Sequence, residues 1–181
     1  MRIFSHTFVK RSRETSLAKV DNPPVLALRE TAGHLLRRCH QIAVGSFLEQ
    51  CQAFDLTPPQ YVTLSALATH GPLDKATIGD IVALDRTTIA VVVKNLEGRG
   101  FVTTRPSDQD RRSKLVRITA KGLNLLPSVQ IEVARAQERT LAPLAPKERV
   151  ELVRLLRKIA EENNLLSRAP LRRRPVETNP L

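Results

Sequence analysis

Residues 80–122 read DIVALDRTTIAVVVKNLEGRGFVTTRPSDQDRRSKLVRITAKG, and they restrict the fold more tightly than any other stretch. The polar opening Asp85-Arg86-Thr87-Thr88 leads into Ile89, Val92, Val93 and Leu96. Apolar residues at three- and four-residue steps predict an amphipathic helix, with Asp85 as its N-cap. Gly98 and Gly100 mark its end. Two short β-branched runs follow, 101–104 and 115–119, around a polar loop with Arg105, Arg111, Arg112 and Lys114. This pattern predicts a hairpin packed directly against the helix. A helix with an exposed polar start, joined to a basic hairpin, can engage two grooves of one DNA duplex.

The charge distribution supports a polyanionic partner. The chain carries a net charge of +11 over 181 residues. Residues 1–20 hold five Lys/Arg against one Glu, and residues 167–181 hold four Arg against one Glu. The two ends therefore contribute +7 of the +11. Between them, residues 99–121 carry seven Lys/Arg against two Asp. That local +5 exceeds the net charge of the whole middle of the chain, so the positive excess of the folded part belongs to the hairpin. Such a focused basic site suits nucleic acid.

Other chemistries find less support. Cys39 and Cys51 are twelve positions apart in one helical pattern, too distant for an intrachain bridge, and fit a reducing, cytoplasmic setting. As residues on an apolar stripe they read as core more readily than as a redox switch. The four histidines have no metal-ligand spacing, so no metal is expected. No phosphate-binding loop or nucleophile motif is present, so neither a cofactor nor enzymatic activity is expected. No apolar run reaches bilayer-spanning length, so no membrane partner is expected.

Along the chain, residues 1–24 end in Asn22-Pro23-Pro24 and read as a flexible N-terminal arm. Over residues 25–54, Leu28, Leu35, Leu36, Cys39, Ile42, Ala43, Leu48, Cys51 and Phe54 predict one long amphipathic helix, softened at Gly33 and Gly45. Thr57 is the expected N-cap of a helix beginning Pro58-Pro59 and ending near His70-Gly71-Pro72. Asp74 opens a short helix through Leu84. After the hairpin, residues 123–141 are helical in pattern, with a first turn, kink or break at Pro127. The last helix begins near Pro146, and Val150, Leu152, Val153, Leu155, Leu156, Ile159 and Ala160 form a stripe broad enough for burial on more than one side. Residues 167–181 read as a disordered Arg/Pro-rich tail. The first and last helices carry more apolar surface than the small hairpin-bearing domain can cover, which points to a homodimer.

In a major-groove reading, Arg86, Thr87 and Thr88 face base edges and phosphates, with Lys94 further along the same helix. Arg105, Arg111, Arg112 and Lys114 supply the hairpin's cations. Asp110 is a structural support that orients an arginine through a charge-assisted hydrogen bond. An arginine at a hairpin tip fits a narrow minor groove. The competing class is a sequence-tolerant nucleic-acid-binding architectural protein driven by the basic ends.

Leu96-Glu97-x-Arg99-Gly100-Phe101-Val102, Asp110-Arg111-Arg112 and Ile118-Thr119-x-x-Gly122, within residues 56–122, resemble the MarR family of transcriptional regulators. The resemblance implies an α+β, mostly α fold: a winged helix-turn-helix DNA-binding domain over residues 56–122, a dimerisation helix over 25–55 and C-terminal dimerisation helices over 123–166. It further implies a homodimeric repressor on double-stranded DNA with a palindromic operator, the helix from Arg86 in the major groove and Arg112 in the minor groove. Many relatives carry Arg where this chain has Val91. Release by a small organic anion is also implied, from a pocket between the dimerisation helices and the winged domain. His34, Arg37, Arg38 and Gln41 share a helix face and are the ligand-binding candidates there. Guanidinium groups above an apolar surface suit an aromatic carboxylate, and the run is similar to that of regulators sensing aromatic acids or their acyl-CoA thioesters.

Overall fold

The computed structural model describes residues 25–107 and 113–171. Contacts divide the chain into residues 1–38 and residues 39–181. Six α-helices and a two-stranded sheet are assigned among the described residues: α1 (Ala32–Gln50), α2 (Pro58–His70), α3 (Lys75–Val82), α4 (Arg86–Gly98), β1 (Val102–Pro106), β2 (Lys114–Ile118), α5 (Ala120–Leu141) and α6 (Pro146–Glu162).

The single helix expected over residues 25–54 is instead three pieces, a 3-10 turn (Val25–Glu30), α1 and a second 3-10 turn (Gln52–Phe54). Thr31 makes the first break. Its hydroxyl donates to Leu28 O at 2.8 Å and accepts from the His34 amide at 3.4 Å, a local side-chain competitor to continuous helix. The second falls at Cys51, where φ −94° and ψ 12° precede the second 3-10 turn, and Asp55 then ends that turn with a left-handed φ of 50°, which no α-helix can continue through. Gly33 and Gly45, by contrast, lie inside α1 without interrupting it.

The helix starts are chemically explicit. The Thr57 amide donates to the Gln60 side chain at 2.9 Å, with Pro58 in the first turn of α2. Asp74 accepts from the Ala76 and Thr77 amides at 2.9 and 3.0 Å, and the Thr77 hydroxyl donates to it at 2.6 Å. Asp85 repeats the arrangement with the Thr87 and Thr88 amides at 3.0 and 2.9 Å and the Thr88 hydroxyl at 2.8 Å. Side-chain acceptors at these positions satisfy amides that a helix cannot pair internally. Between α3 and α4, Ala83 takes a left-handed φ of 55°, and the Leu84 carbonyl lies so close to Gly79 that a Cβ there would meet it at 2.7 Å. A tight turn and a glycine at the contact let the two helices cross closely.

α2 is the hub. Leu64 and Leu67 are fully buried with Ile78 of α3, Ile89, Val93 and Leu96 of α4, Val102 and Val116 of the hairpin and Val129 of α5. Strands β1 and β2 pair antiparallel from Val102↔Ile118 to Pro106↔Lys114. The expected strands 101–104 and 115–119 are thus shifted by one or two residues toward the loop, which puts Arg105 and Lys114 on strands. Leu73 bonds Val116 on the other edge of β2, with amide–carbonyl distances of 3.1 and 2.8 Å. A lone residue between Pro72 and Asp74 carries no strand pattern, so this third edge is invisible to periodicity.

α5 runs through Pro127 without a break. Val129, Val133 and Ala136 of α5 are buried with Phe47 and Cys51. The Ser46 hydroxyl donates to Ala136 O at 3.0 Å, and Arg139 pairs with Glu49 at 2.6 Å. Only Ser46 and Phe47 of α1 are buried. Leu35, Leu36, Ile42 and Leu48 remain exposed, and no side chain of α6 is buried in the single chain. The burial on several sides that the α6 stripe predicts is not achieved within one chain. Residues 167–171, expected in the disordered tail, are turned back by two hydrogen bonds between the Asn164 side chain and the Leu171 backbone, at 2.8 and 2.9 Å. The arm 1–24 and residues 172–181 lie outside the described residues.

Candidate nucleic-acid interface

The buried face of α4 is Ile89, Val92, Val93 and Leu96. Helical geometry then turns Thr87, Ala90, Val91 and Lys94 outward as one stripe, and all four are exposed. Arg86 is exposed at the head of that stripe. Val91, 54 % exposed, does not pack into the core. Its methyls are therefore available to a thymine methyl, while the hydrogen-bonding capacity of an arginine is absent. Thr88 is half-buried and its hydroxyl proton is committed to Asp85.

Asp85 is the electrostatic pivot of the helix start. The Thr88 amide, then the Thr88 hydroxyl, then the Thr87 amide and the charge of Arg168 hold its carboxyl below the usual 3.8, against an opposing effect of desolvation. A carboxylate that is ionised at neutral pH fixes the first turn of α4.

The hairpin continues the surface. Arg105 and Lys114 are exposed on β1 and β2, near the loop end of the ladder. Arg105 pairs with Leu115 and Thr103 with Arg117, so strand alternation puts Arg105 and Arg117 on one face. Arg117 is exposed as well and was not singled out from the sequence. Lys114 shares the other face with Val116 and Ile118 but clears the core at the strand's end. Asp110, Arg111 and Arg112 lie outside the described residues.

Arg99 anchors the hairpin base. Its guanidinium donates to the Phe54 carbonyl at 2.8 Å and to the Asp55 carbonyl, and it lies 4.8 Å from the Phe101 ring centroid. Lys121 approaches the same ring at 5.0 Å and donates to the Arg99 carbonyl at 2.8 Å. The Glu97 carboxylate accepts from the Thr104 amide at 2.8 Å. The turn after α1, the end of α4 and the start of the wing are therefore joined by charged groups bonded to backbone, an arrangement that limits hairpin swing. Sequence reading marks Arg99 and Glu97 as motif members and not as struts.

A cavity of about 730 Å³ opens between α3, α4 and β2. Its wall carries Lys75, Arg86 and Lys114, the acids Asp74, Asp80 and Asp85, and Arg168-Ala169-Pro170. Lys75 stands after Asp74 as Arg86 stands after Asp85. That repeated tetrapeptide, an Asp cap, a cation, one residue and Thr, was the signal in the sequence that could have found Lys75. The ligand candidates His34, Arg37, Arg38 and Gln41 are on α1, His34 half-buried and the others exposed, and none is on this wall. Among the described residues no group of three or more His, Cys, Asp or Glu is arranged to hold a metal ion. No described helix is long and apolar enough to cross a membrane.

A tri-helical core with two capped helices crossing at a tight turn, an exposed outer face on the second of them and an attached β-hairpin defines a winged helix-turn-helix DNA-binding protein. Residues 56–114 match the sequence profile of the MarR family. The HTH-type transcriptional repressor NicR of Pseudomonas putida is 35 % identical over 148 residues, 82 % of this chain and 93 % of NicR. The structure of Bordetella bronchiseptica BpsR, described with regulation of DNA binding by 6-hydroxynicotinic acid, superposes with a TM-score of 0.70 at 32 % identity, covering 74 % of this chain and 95 % of that one. The repressor CouR, bound to a 23-mer DNA duplex, gives 0.70 at 28 % identity over 76 % and 98 % of the two chains. The chain belongs to the MarR family of transcriptional regulators. Its relatives act on transcription and not as enzymes.

Proposed function

We propose that this regulator is a homodimeric cytoplasmic repressor that binds a palindromic operator and is released by a small organic anion. The exposed stripe Arg86, Thr87, Ala90, Val91 and Lys94 carries the DNA part of this reading, since a helix-turn-helix sets such a stripe into the major groove. Arg105 and Lys114, with Arg111 and Arg112 between them in sequence, act on phosphates and the adjacent minor groove, and Asp110 orients the tip arginine. Thr88 works through the Asp85 cap.

Homodimerisation is supported by bare apolar side chains at both ends of the chain: Leu35, Leu36, Ile42 and Leu48 on α1, and Val150, Val153, Leu155, Leu156 and Ile159 on α6. An exposed array of this extent is the signature of an interface. Residues 25–55 and 123–166 thus serve as dimerisation elements around the DNA-binding segment 56–122, and a two-fold dimer reads two half-sites of a palindrome. The effector reading rests on His34, Arg37, Arg38 and Gln41 of α1 and on the 6-hydroxynicotinic acid that regulates DNA binding by BpsR. An aromatic acid or its CoA thioester fits a guanidinium-lined site above apolar side chains.

The test is a duplex selected from a random pool by the wild-type protein, with binding followed by fluorescence anisotropy. Arg112→Ala should weaken binding by about 10-fold or more, and an aromatic acid or its CoA thioester should dissociate the wild-type complex. Unchanged affinity of the variant overturns the wing assignment. A complex that survives the whole set of aromatic acids and thioesters overturns the effector class.

A further inference from the structure

Arg99 caps the end of α4, and the wing departs from it. Its guanidinium reaches back to the turn after α1, donating to the Phe54 carbonyl at 2.8 Å and to the Asp55 carbonyl. These carbonyls lie at the end of the 3-10 turn Gln52–Phe54. A helix end presents carbonyls with no partner inside the helix, and a cation is favoured there. Asp55 orients its carbonyl through a left-handed φ of 50°. Its own side chain is 94 % exposed, with the carboxylate 3.8 Å from Arg99, so the backbone of the turn makes the closer contact. Just upstream, Cys51 and Phe47 seat the turn in the core.

Other bonds at the wing root join residues 96–122 to one another. The Phe101 amide donates to Leu96 O at 2.9 Å, the Thr119 hydroxyl to Gly100 O at 2.8 Å and Lys121 to Arg99 O at 2.8 Å. Those bonds hold the wing to its own segment. The Arg99 fork ties it instead to residues 54–55, in the part of the chain proposed above for dimerisation. The same guanidinium lies 4.8 Å from the Phe101 ring centroid, so the group that grips the turn also rests on the residue before β1. Leverage magnifies the tie. Arg105 is three residues past Val102 on β1, about 10 Å along an extended strand. A tilt of about 10° at the root therefore moves Arg105 by about 2 Å, enough to lose a hydrogen bond to a phosphate.

We infer that Arg99 is a positioning residue through which the turn after α1 sets the angle of the wing, and with it the wing's contact with DNA. This rests on the reading of the hairpin as a DNA-binding wing. Arg99 itself touches no base, so α4 keeps its own readout when the tie is cut.

The experiment uses the full chain as wild type, R99Q, D55V, the R99Q/D55V pair and D55N, each held well below its melting midpoint. A β-branched Val resists the left-handed φ that Asp55 adopts, whereas Asn tolerates it. Affinities for the selected duplex and a scrambled duplex are measured by fluorescence anisotropy. On the selected duplex at saturating protein, hydroxyl-radical cleavage reports minor-groove sugars and dimethyl sulfate reports guanine N7 in the major groove. R99Q and D55V should each bind both duplexes about 10-fold more weakly, the size of one charge-assisted hydrogen bond. Their specificity ratio and N7 protection should match wild type, while sugar protection flanking the groove read by α4 is lost. The pair should bind no more weakly than the weaker single variant, because both changes break one tie. D55N should bind as wild type does. Additive losses in the pair, equal loss of N7 and sugar protection in R99Q, or a D55N loss as large as that of D55V each overturn the inference. Wild-type sugar protection in R99Q does so too. If R99Q does not fold, D55V decides alone: selective loss of sugar protection supports the tie, and retained protection overturns it. A wild-type protein that protects no flanking sugars would instead overturn the wing reading, and the inference with it.

Discussion

Asp85 concentrates several roles in one side chain: N-cap of the recognition helix, partner of the Thr88 hydroxyl and neighbour of Arg168. Its carboxyl is held below 3.8 by the amide and hydroxyl of Thr88 foremost. A lowered folded-state value means that the carboxylate stabilises the fold above the unfolded value and ceases to do so as pH falls through the lower folded one. Asp85→Ala is therefore expected to melt at lower temperature than wild type at pH 7, with the difference shrinking below about pH 3.8. A difference independent of pH down to about pH 2 would remove the carboxylate from the stabilising groups. Helical circular dichroism during thermal melts at several pH values makes the measurement. Both caps were legible in the sequence, since an acid before an apolar-periodic run has one common use. The burden on Arg99 was not: its partners are the main-chain carbonyls of Phe54 and Asp55, more than forty positions away, and backbone acceptors leave no trace in residue identity.

Among the elements, the wing was read well in outline and poorly in its edges. Alternating β-branched residues announce a hairpin, but ladder ends are set by what the neighbouring strand and core allow. Pro106 pairs at the loop end of β1, where its lack of an amide proton costs little. Leu73 adds an edge to Val116 that a single residue cannot announce. α1 illustrates a different limit, because Thr31 cuts the periodic run by local bonding and Asp55 ends it by backbone hand, neither of which alters apolar spacing. The junction of wing and α5 offers the sharpest test at this scale. Thr119 caps α5 by accepting from the Gly122 amide at 3.1 Å, and a Cβ on Gly122 would run into the Phe101 carbonyl and reach Ile118 Cγ1 at 2.8 Å. Gly122→Ala forces the hairpin base and α5 apart and should destabilise the fold by about 1–3 kcal/mol. Urea unfolding reports it, and an unchanged midpoint would mean that this junction yields freely.

At the scale of the whole molecule, the core and the exposed surface assign separate tasks. The buried set gathers α2, α3, α4, the hairpin and part of α5 around Leu64, Val93 and Val116, which holds the recognition face rigidly. The apolar residues of α6 and much of α1 are left uncovered. Sequence patterning registered that surplus because stripe width does not depend on what covers it. It could not say that one chain buries no side chain of α6 fully. Nor could it see that the loop closed by Asn164 and Leu171 carries Arg168 to the head of α4, since chain direction after the last helix is decided by two side-chain hydrogen bonds. The central claim is that the outward stripe of α4, headed by Arg86, reads DNA sequence. The most direct measurement is the ratio of affinities for the selected duplex and a scrambled duplex, compared between wild type and Arg86→Ala at one salt concentration. The predicted result is a ratio about 10- to 100-fold smaller for the variant, in line with loss of a base-edge contact worth about 1–3 kcal/mol. A wild-type ratio retained by Arg86→Ala, whatever its absolute affinity, would contradict that claim.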